Sequence, residues 1–142
     1  MKRILIIGIK MLRISTVMMM IALMLVISAA TACQKKPSPT TTFEAFYESL
    51  KKKDVQAYKK TVSKKTLEML QKEAGELGKS LDEYIKADMD KPTRKLPDKL
   101  ETRHEKIEGD HATLEIKNNE GGWNTVPFVK EDGEWKVSLE QV

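Results

Sequence analysis

The most specific chemical signal in this chain is its single cysteine, Cys33. It follows small residues at positions 28–32, which in turn follow an unbroken apolar run at positions 17–27. Four basic residues precede that run: Lys2, Arg3, Lys10 and Arg13. A basic end, an apolar centre and a small-residue exit are typical of a secretory signal peptide, because the apolar segment enters the bilayer and small residues admit a peptidase. The sequence predicts a signal peptide over residues 1–32.

Ala30-Thr31-Ala32-Cys33 resembles the lipobox of bacterial lipoproteins. In that family the cysteine sulfur receives a diacylglyceryl group, and the cysteine becomes the first residue of the mature chain. Leucine is usual where this chain has Ala30. The resemblance implies lipidation of Cys33 and a domain held on the extracytoplasmic side of the cell membrane or the outer membrane. Gln34 after the cysteine, instead of Asp, favours the outer membrane by the sorting habit of that family.

Two other interpretations of the leader stay open. Residues 14–32 form a stretch of 19 residues, close to the roughly 20 that a helix needs to span a bilayer, so an uncleaved anchor is one alternative. Plain secretion is the other. The start is equally open, since either Met1 or Met11 can serve as the initiator.

Charge excludes one class of function. The chain has 25 basic and 21 acidic residues, but four of the basic residues lie in the leader, which leaves 21 of each. Nucleic-acid binding needs an uncompensated basic surface, so no nucleic-acid partner is expected. The remaining 110 residues from Cys33 onwards suffice for one domain.

Catalytic candidates are few. In the register expected for the first hairpin, Arg103 and Glu105 point to the inner face of the sheet, where the hydroxyls of Tyr47 and Tyr58 could meet them. The simpler interpretation is that Arg103 pairs with Glu105 at a solvated sheet end and that both tyrosines are packing residues. We therefore expect a binding or structural protein more than an enzyme, with these four residues as pocket candidates. Trp123 follows two glycines; it is a fifth pocket candidate and also a candidate for partner contact.

No metal or cofactor is expected. The only histidines, His104 and His111, lie four residues apart in the expected hairpin register, about 13 Å. Metal–nitrogen distances of about 2 Å do not allow one ion to bind both. The glycines do not form a phosphate-binding loop.

The elements that would position these residues are four short helices followed by two hairpins. Residues 33–40 read as a flexible tether and residues 41–142 as one α+β domain, with the first helix starting at Thr41 or Thr42 and a capping box from Thr41 to Glu44. Asp54, Ser63 and Ser80 are the expected N-caps of the later helices. Gly109-Asp110 and Asp132-Gly133 predict two hairpins. The expected cross-strand pairs are Ile107 with Ala112, Glu105 with Leu114, Arg103 with Ile116, Phe128 with Val137 and Val126 with Leu139.

Residues 43–50, 53–58 and 126–137 resemble the nuclear-transport-factor-2-like superfamily, and most of all a branch of uncharacterised small lipoproteins. The resemblance implies helices packed on a curved antiparallel sheet that forms a cone with an open mouth, a cystatin-like arrangement. Only four strands are evident, fewer than the five or six that are frequent in that superfamily.

Together these features predict a membrane-anchored envelope lipoprotein whose small domain binds a small apolar ligand or an envelope protein. Some members of the superfamily are isomerases or dehydratases that use residues inside the cone, so an enzyme of that type is the alternative. A purely structural or immunity-like accessory is a third possibility. A deep pocket with two or more convergent ionisable groups would favour catalysis, and an apolar slot would favour binding.

Overall fold

The computed structural model describes residues 37–92 and 95–141. Cys33, the predicted signal peptide and the first part of the predicted tether lie outside the described residues. Within the described residues, four α-helices precede four β-strands, and a short 3₁₀ helix follows the last strand. In chain order the elements are α1 (Pro39–Lys52), α2 (Val55–Thr61), α3 (Lys64–Glu76), α4 (Leu81–Met89), β1 (Thr102–Glu108), β2 (His111–Lys117), β3 (Trp123–Glu131), β4 (Glu134–Val137) and the 3₁₀ helix (Leu139–Gln141).

The first helix begins earlier than the sequence predicted. Ser38 is its N-cap and accepts a hydrogen bond from the backbone N–H of Thr41 at 3.2 Å, while Oγ1 of Thr41 accepts from the N–H of Ser38 at 2.9 Å. The predicted start at Thr41 or Thr42 is therefore wrong, and the predicted tether gives way to helix at Pro39. Proline favours the first helical position, since its missing N–H has no partner to lose there.

The later helix starts agree with the sequence. The side chains of Asp54, Ser63 and Ser80 each accept a hydrogen bond from the backbone N–H three residues on. Ser80 and Glu83 form a capping box, whereas the predicted box from Thr41 to Glu44 is replaced by one from Ser38 to Thr41. None of the four helices in the described ranges is long and apolar enough to cross a bilayer.

The strands form an antiparallel meander in the order β1-β2-β3-β4, and this sheet is not closed. Its inner face, defined as the face that the helices cover, carries Ala112, Leu114, Phe128 and Val137, none more than 5% exposed. The alternation of buried and exposed residues along β2 follows from the two-residue period of a strand. The prediction of helices packed on an antiparallel sheet is confirmed.

Aromatic side chains from the first two helices join the helices to the sheet. The ring of Phe43 lies 5.5 Å from that of Phe46 and 6.4 Å from that of Phe128, between ring centres. Phe46 in turn lies 5.4 Å from Tyr58. A parallel bridge between Val62 and Val137 brings the end of α2 against β4. This bridge covers the edge of β4, where unpaired backbone groups would otherwise face solvent.

The register of the first hairpin differs from the expected one beyond its first pair. Ile107 pairs with Ala112 as predicted, but Arg103 pairs with Glu115 rather than with Ile116. The cause is a β-bulge, in which residues 104 and 105 lie opposite Leu114 alone. His104 accommodates it with a φ of 52°, in the left-handed region. One extra residue in a strand moves the side chains before it to the opposite face of the sheet. Arg103 therefore lies on the outer face, away from the helices.

The second hairpin is shorter than expected. Phe128 pairs with Val137 as predicted, but β4 ends there, so the expected pair of Val126 with Leu139 does not form and Leu139 enters the 3₁₀ helix. The carbonyl of Pro127 accepts a hydrogen bond from the N–H of Ser138 at 3.0 Å. Proline has no N–H to complete the pair, which explains why the ladder stops at this position.

Candidate functional site

A cavity of about 570 Å³ lies between the helices and the inner face of the sheet. Ligand sites in proteins commonly have about 300–1,000 Å³. Its walls are mainly aromatic and aliphatic, with side chains from α1, α2, α3 and the strands; they include Phe43, Phe46, Leu50, Leu70, Val126 and Leu139. The apolar side chains that lie on one face of each helix therefore also form the wall of the cavity.

One side of the cavity is closed by residues 95–100, which connect the helices to the sheet. Leu96 and Leu100 are half-buried against the core, and Pro97 lies between them on the cavity wall. The hydroxyl of Tyr47 donates a hydrogen bond to the carbonyl of Pro97. Nδ2 of Asn119 donates to the carbonyl of Lys95 at 2.7 Å. Hydrogen bonds from α1 and from the β2–β3 loop thus fix the position of this segment.

Two ionisable side chains meet at the cavity wall. The hydroxyl of Tyr84 on α4 donates to Oε2 of Glu73 on α3 at 2.7 Å, and both residues are half-buried. This hydrogen bond, followed by burial and by the charges of Glu73 and Asp88, raises the pKa of Tyr84 above its ordinary value. The hydroxyl therefore stays protonated at neutral pH and serves as a donor to the carboxylate.

Other polar groups of the wall already have partners. Asp88 lies one turn after Tyr84 on α4 and accepts from Nζ of Lys91 at 2.8 Å. Nζ of Lys117 lies 3.2 Å from a carboxylate oxygen of Glu101. Oδ1 of Asn118 accepts from the backbone N–H groups of residues 120 and 122, so this side chain shapes the β2–β3 loop.

The structure divides the predicted pocket residues into two groups. Tyr47 and Tyr58 line the cavity and are no more than 7% exposed. Arg103, Glu105 and Trp123 do not line it. The prediction that Arg103 points to the inner face is wrong, because the bulge pairs it with Glu115 on the outer face. Glu105 is exposed and does not meet the tyrosines either, since its carboxylate binds Thr40 at the start of α1.

These three residues make other contacts. Nε of Arg103 donates to Oε2 of Glu115 at 2.7 Å, and its guanidinium lies over the ring of half-buried Trp123. Oε2 of Glu105 accepts from the backbone N–H and the hydroxyl of Thr40, at 2.9 and 2.6 Å. Arg103 and Glu105 thus bind separate partners rather than each other.

Sequence reasoning missed Glu73 and the hydroxyl of Tyr84. Glu73 follows Leu70 by three positions, so the two share one face of α3. An acidic residue in line with an apolar stripe, and a tyrosine in the stripe of the next helix, are the signals that could have indicated this pair. Within residues 37–92 and 95–141, no group of three or more His, Cys, Asp or Glu side chains is placed to hold a metal ion.

The fold and the cavity define a small α+β domain in which four helices cover an open four-stranded antiparallel sheet around an apolar pocket. The chain belongs to the family described as "Domain of unknown function (DUF4878)", whose model matches residues 31–138. No curated protein and no solved structure matches the chain. The match spans all four helices and all four strands, so the family and the described fold refer to the same part of the chain.

Proposed function

We propose that this protein is a lipid-anchored envelope protein, of the nuclear-transport-factor-2-like type, whose domain binds a small apolar ligand. The observation that carries the binding proposal is the cavity of about 570 Å³ between helices and sheet. Ligand sites are usually concave, mostly apolar spaces of this size, so the cavity is the place in the described residues best suited to hold a small molecule. Polar side chains also line this space, and polar groups of a ligand site commonly orient the bound molecule.

The anchor rests on the leader. Cys33 follows an exported-protein leader and small residues, and acylation there would hold the domain at the outer surface of a membrane. Radiolabelled palmitate should enter the wild-type protein, and Cys33→Ala should abolish the label. An unlabelled wild type at full expression contradicts lipidation without touching the cavity.

A small ligand is better supported than a protein partner. The large apolar side chains that are strongly exposed are Leu77, at 62%, and Ile107, at 52%. One follows α3 and the other lies on β1, so they do not form a continuous patch within the described residues. Protein interfaces are centred on clustered apolar anchors, which these two do not provide.

An enzyme of the isomerase or dehydratase type is the second candidate. The hydrogen bond between Tyr84 and Glu73 favours it, since two ionisable groups converge on the wall of an apolar cavity. The raised pKa of Tyr84 argues against acid catalysis by that hydroxyl, because an effective general acid titrates near the working pH. Binding is therefore the function that the geometry supports best.

Mass spectrometry of the full chain purified from its own membranes tests the proposal. We expect a lipid on Cys33 and a co-purifying small molecule. Leu70→Trp should narrow the cavity and reduce the amount of that molecule that co-purifies, whereas Leu77→Trp, which adds the same ring at an exposed position near the end of the same helix, should retain it. Cooperative thermal unfolding of both variants shows that they are folded. A wild type that neither carries nor takes up any apolar molecule overturns the binding function.

A further inference from the structure

We infer that the ligand of this cavity joins an apolar body to a protonated amine, which the carboxylate of Glu73 receives. The inference rests on the proposed binding function and adds the chemical class of the ligand. A predominantly apolar wall that carries the half-buried carboxylates of Glu73 and Asp88 matches an amphiphile of that kind.

Glu73 is placed and oriented to accept more hydrogen bonds. A carboxylate has two oxygens and about four acceptor sites. The hydroxyl of Tyr84 occupies one site on Oε2 and fixes the direction of the group from the neighbouring helix. Within residues 37–92 and 95–141 no hydrogen bond to Oε1 is present, so its sites can accept from an N–H donor of a ligand. A positioned acceptor costs a ligand little reorganisation, which favours tight binding.

The charges around the cavity favour a cation over an anion. Glu73 and Asp88 are half-buried, whereas Lys95 is exposed and Lys117 forms an ion pair with Glu101. Asp88 already accepts a hydrogen bond from Nζ of Lys91, so Glu73 is the carboxylate that would bind the amine. A charge that is partly removed from water acts more strongly on its neighbours than a solvated one. An anionic head group at this wall would meet the Glu73 carboxylate at close range and would be repelled.

The body of the ligand is set by the rest of the wall. Phe46, Leu70 and Val126 present aromatic and aliphatic surface to the cavity. Binding of an apolar group there is favourable because it removes apolar surface from water, whereas a polar chain would lose its hydration. A charged amine attached to an apolar body satisfies both regions of the cavity at once.

Three matched probes test this inference: phenylbutylamine, phenylbutanol and phenylbutanoate, which share one body and differ in head group. Their dissociation constants are measured by ligand-observed NMR on the full chain in lipid nanodiscs, with empty nanodiscs subtracted. We expect the amine to bind about tenfold or more tightly than the carboxylate, the size of effect that a charge-assisted hydrogen bond produces.

Variants locate the effect. Glu73→Gln should remove most of the preference for the amine, while Glu68→Gln, an exposed acid on the same helix outside the cavity, should leave it unchanged. Tyr84→Phe should keep the preference for the amine, since the charge of Glu73 remains, but should weaken the binding of the amine because the carboxylate loses the hydroxyl that orients it. Should Glu73→Gln unfold, the comparison of the three probes on the wild type still decides the question.

The outcomes separate this inference from the function beneath it. Equal affinity for all three probes, or tighter binding of the carboxylate, overturns the amine assignment and leaves apolar binding standing. Loss of the preference with Glu68→Gln as much as with Glu73→Gln also overturns it. Binding of none of the probes overturns both.

Discussion

The guanidinium of Arg103 lies 3.9 Å from the centre of the Trp123 ring, on the face of the sheet turned away from the helices. Its Nε also donates to Oε2 of Glu115, and Nδ1 of His104 lies 3.1 Å from the same oxygen. The hydrogen bond from Arg103 is the main cause that lowers the pKa of Glu115, with burial opposing it and His104 adding to it. An exposed cluster thus forms where the sequence predicted pocket residues.

Arg103→Gln should raise the pKa of Glu115 back towards the ordinary glutamate value of about 4.3, because the main hydrogen bond to the carboxylate is weakened and its positive charge is gone. Carboxyl carbon shifts followed by NMR across an acid titration measure it. His104→Gln is the matched comparison and should shift this pKa less. Ligand affinity should stay unchanged in both variants, since neither residue lines the cavity. An unaltered Glu115 titration in Arg103→Gln would refute the assignment.

The sequence could predict the elements better than the faces of β1. The spacing of Phe43, Phe46, Tyr47 and Leu50 at i, i+3, i+4 and i+7 predicts one buried helix face, and all four are buried. The alternation of apolar and polar residues does not reveal a β-bulge, because no particular residue type marks the extra residue. Here His104, and not a glycine, adopts the positive φ. The expected facing of Arg103 is wrong for that reason.

The candidate site was half predictable. Tyr47 and Tyr58 lie on the cavity wall as the helical period requires. Glu73 was not predicted, since its role depends on how α3 and α4 pack together, and contacts between helices are not encoded by the period of either one. Residues 95–100 close the cavity through tertiary hydrogen bonds that have no local sequence signature.

Ser38→Ala should lower the free energy of unfolding by about 1 kcal/mol, because the backbone N–H of Thr41 loses its acceptor at the start of α1. Ser38→Asp should restore most of the loss, since a carboxylate also caps a helix start. Urea denaturation of the full chain measures both. A start at Thr41 or Thr42, as the sequence alone predicted, would instead leave Ser38→Ala without effect.

Glu140 makes stability depend on pH. Burial tends to raise its pKa, but hydrogen bonds from Thr66, Ser138 and Ser63 and from its own backbone N–H outweigh burial and lower the pKa. The hydroxyls of Ser138 and Ser63 lie 2.7 and 3.0 Å from its oxygens. A lowered pKa in the folded state gives stability that is fully present above the ordinary glutamate value and is lost as pH falls through the lowered value.

Glu140→Gln should therefore reduce the free energy of unfolding by about 1–3 kcal/mol at neutral pH, because buried hydroxyls lose a charged acceptor. The difference from wild type should shrink as pH falls below about 4, where the wild-type carboxyl also becomes neutral. Denaturant unfolding at several pH values measures it. Glu120→Gln, in the exposed β2–β3 loop, is the control and should follow the wild type. A constant difference at every pH would show that charge on Glu140 is not the cause.

Tyr47→Phe should loosen the wall formed by residues 95–100. The phenyl ring keeps the packing of a side chain that is 6% exposed, but the carbonyl of Pro97 loses the hydroxyl that donates to it. A neutral hydrogen bond of this kind contributes about 0.5–1.5 kcal/mol, so backbone amides of this segment should exchange with deuterium about two- to twelvefold faster. Hydrogen-exchange mass spectrometry of a peptide covering the segment measures the rate.

Tyr84→Phe is the control for this prediction. It removes a hydroxyl from the same cavity wall but from the α3–α4 side, so exchange in residues 95–100 should stay at the wild-type rate. Equal acceleration in both variants would mean that the segment responds to the cavity as a whole and is not held by Tyr47.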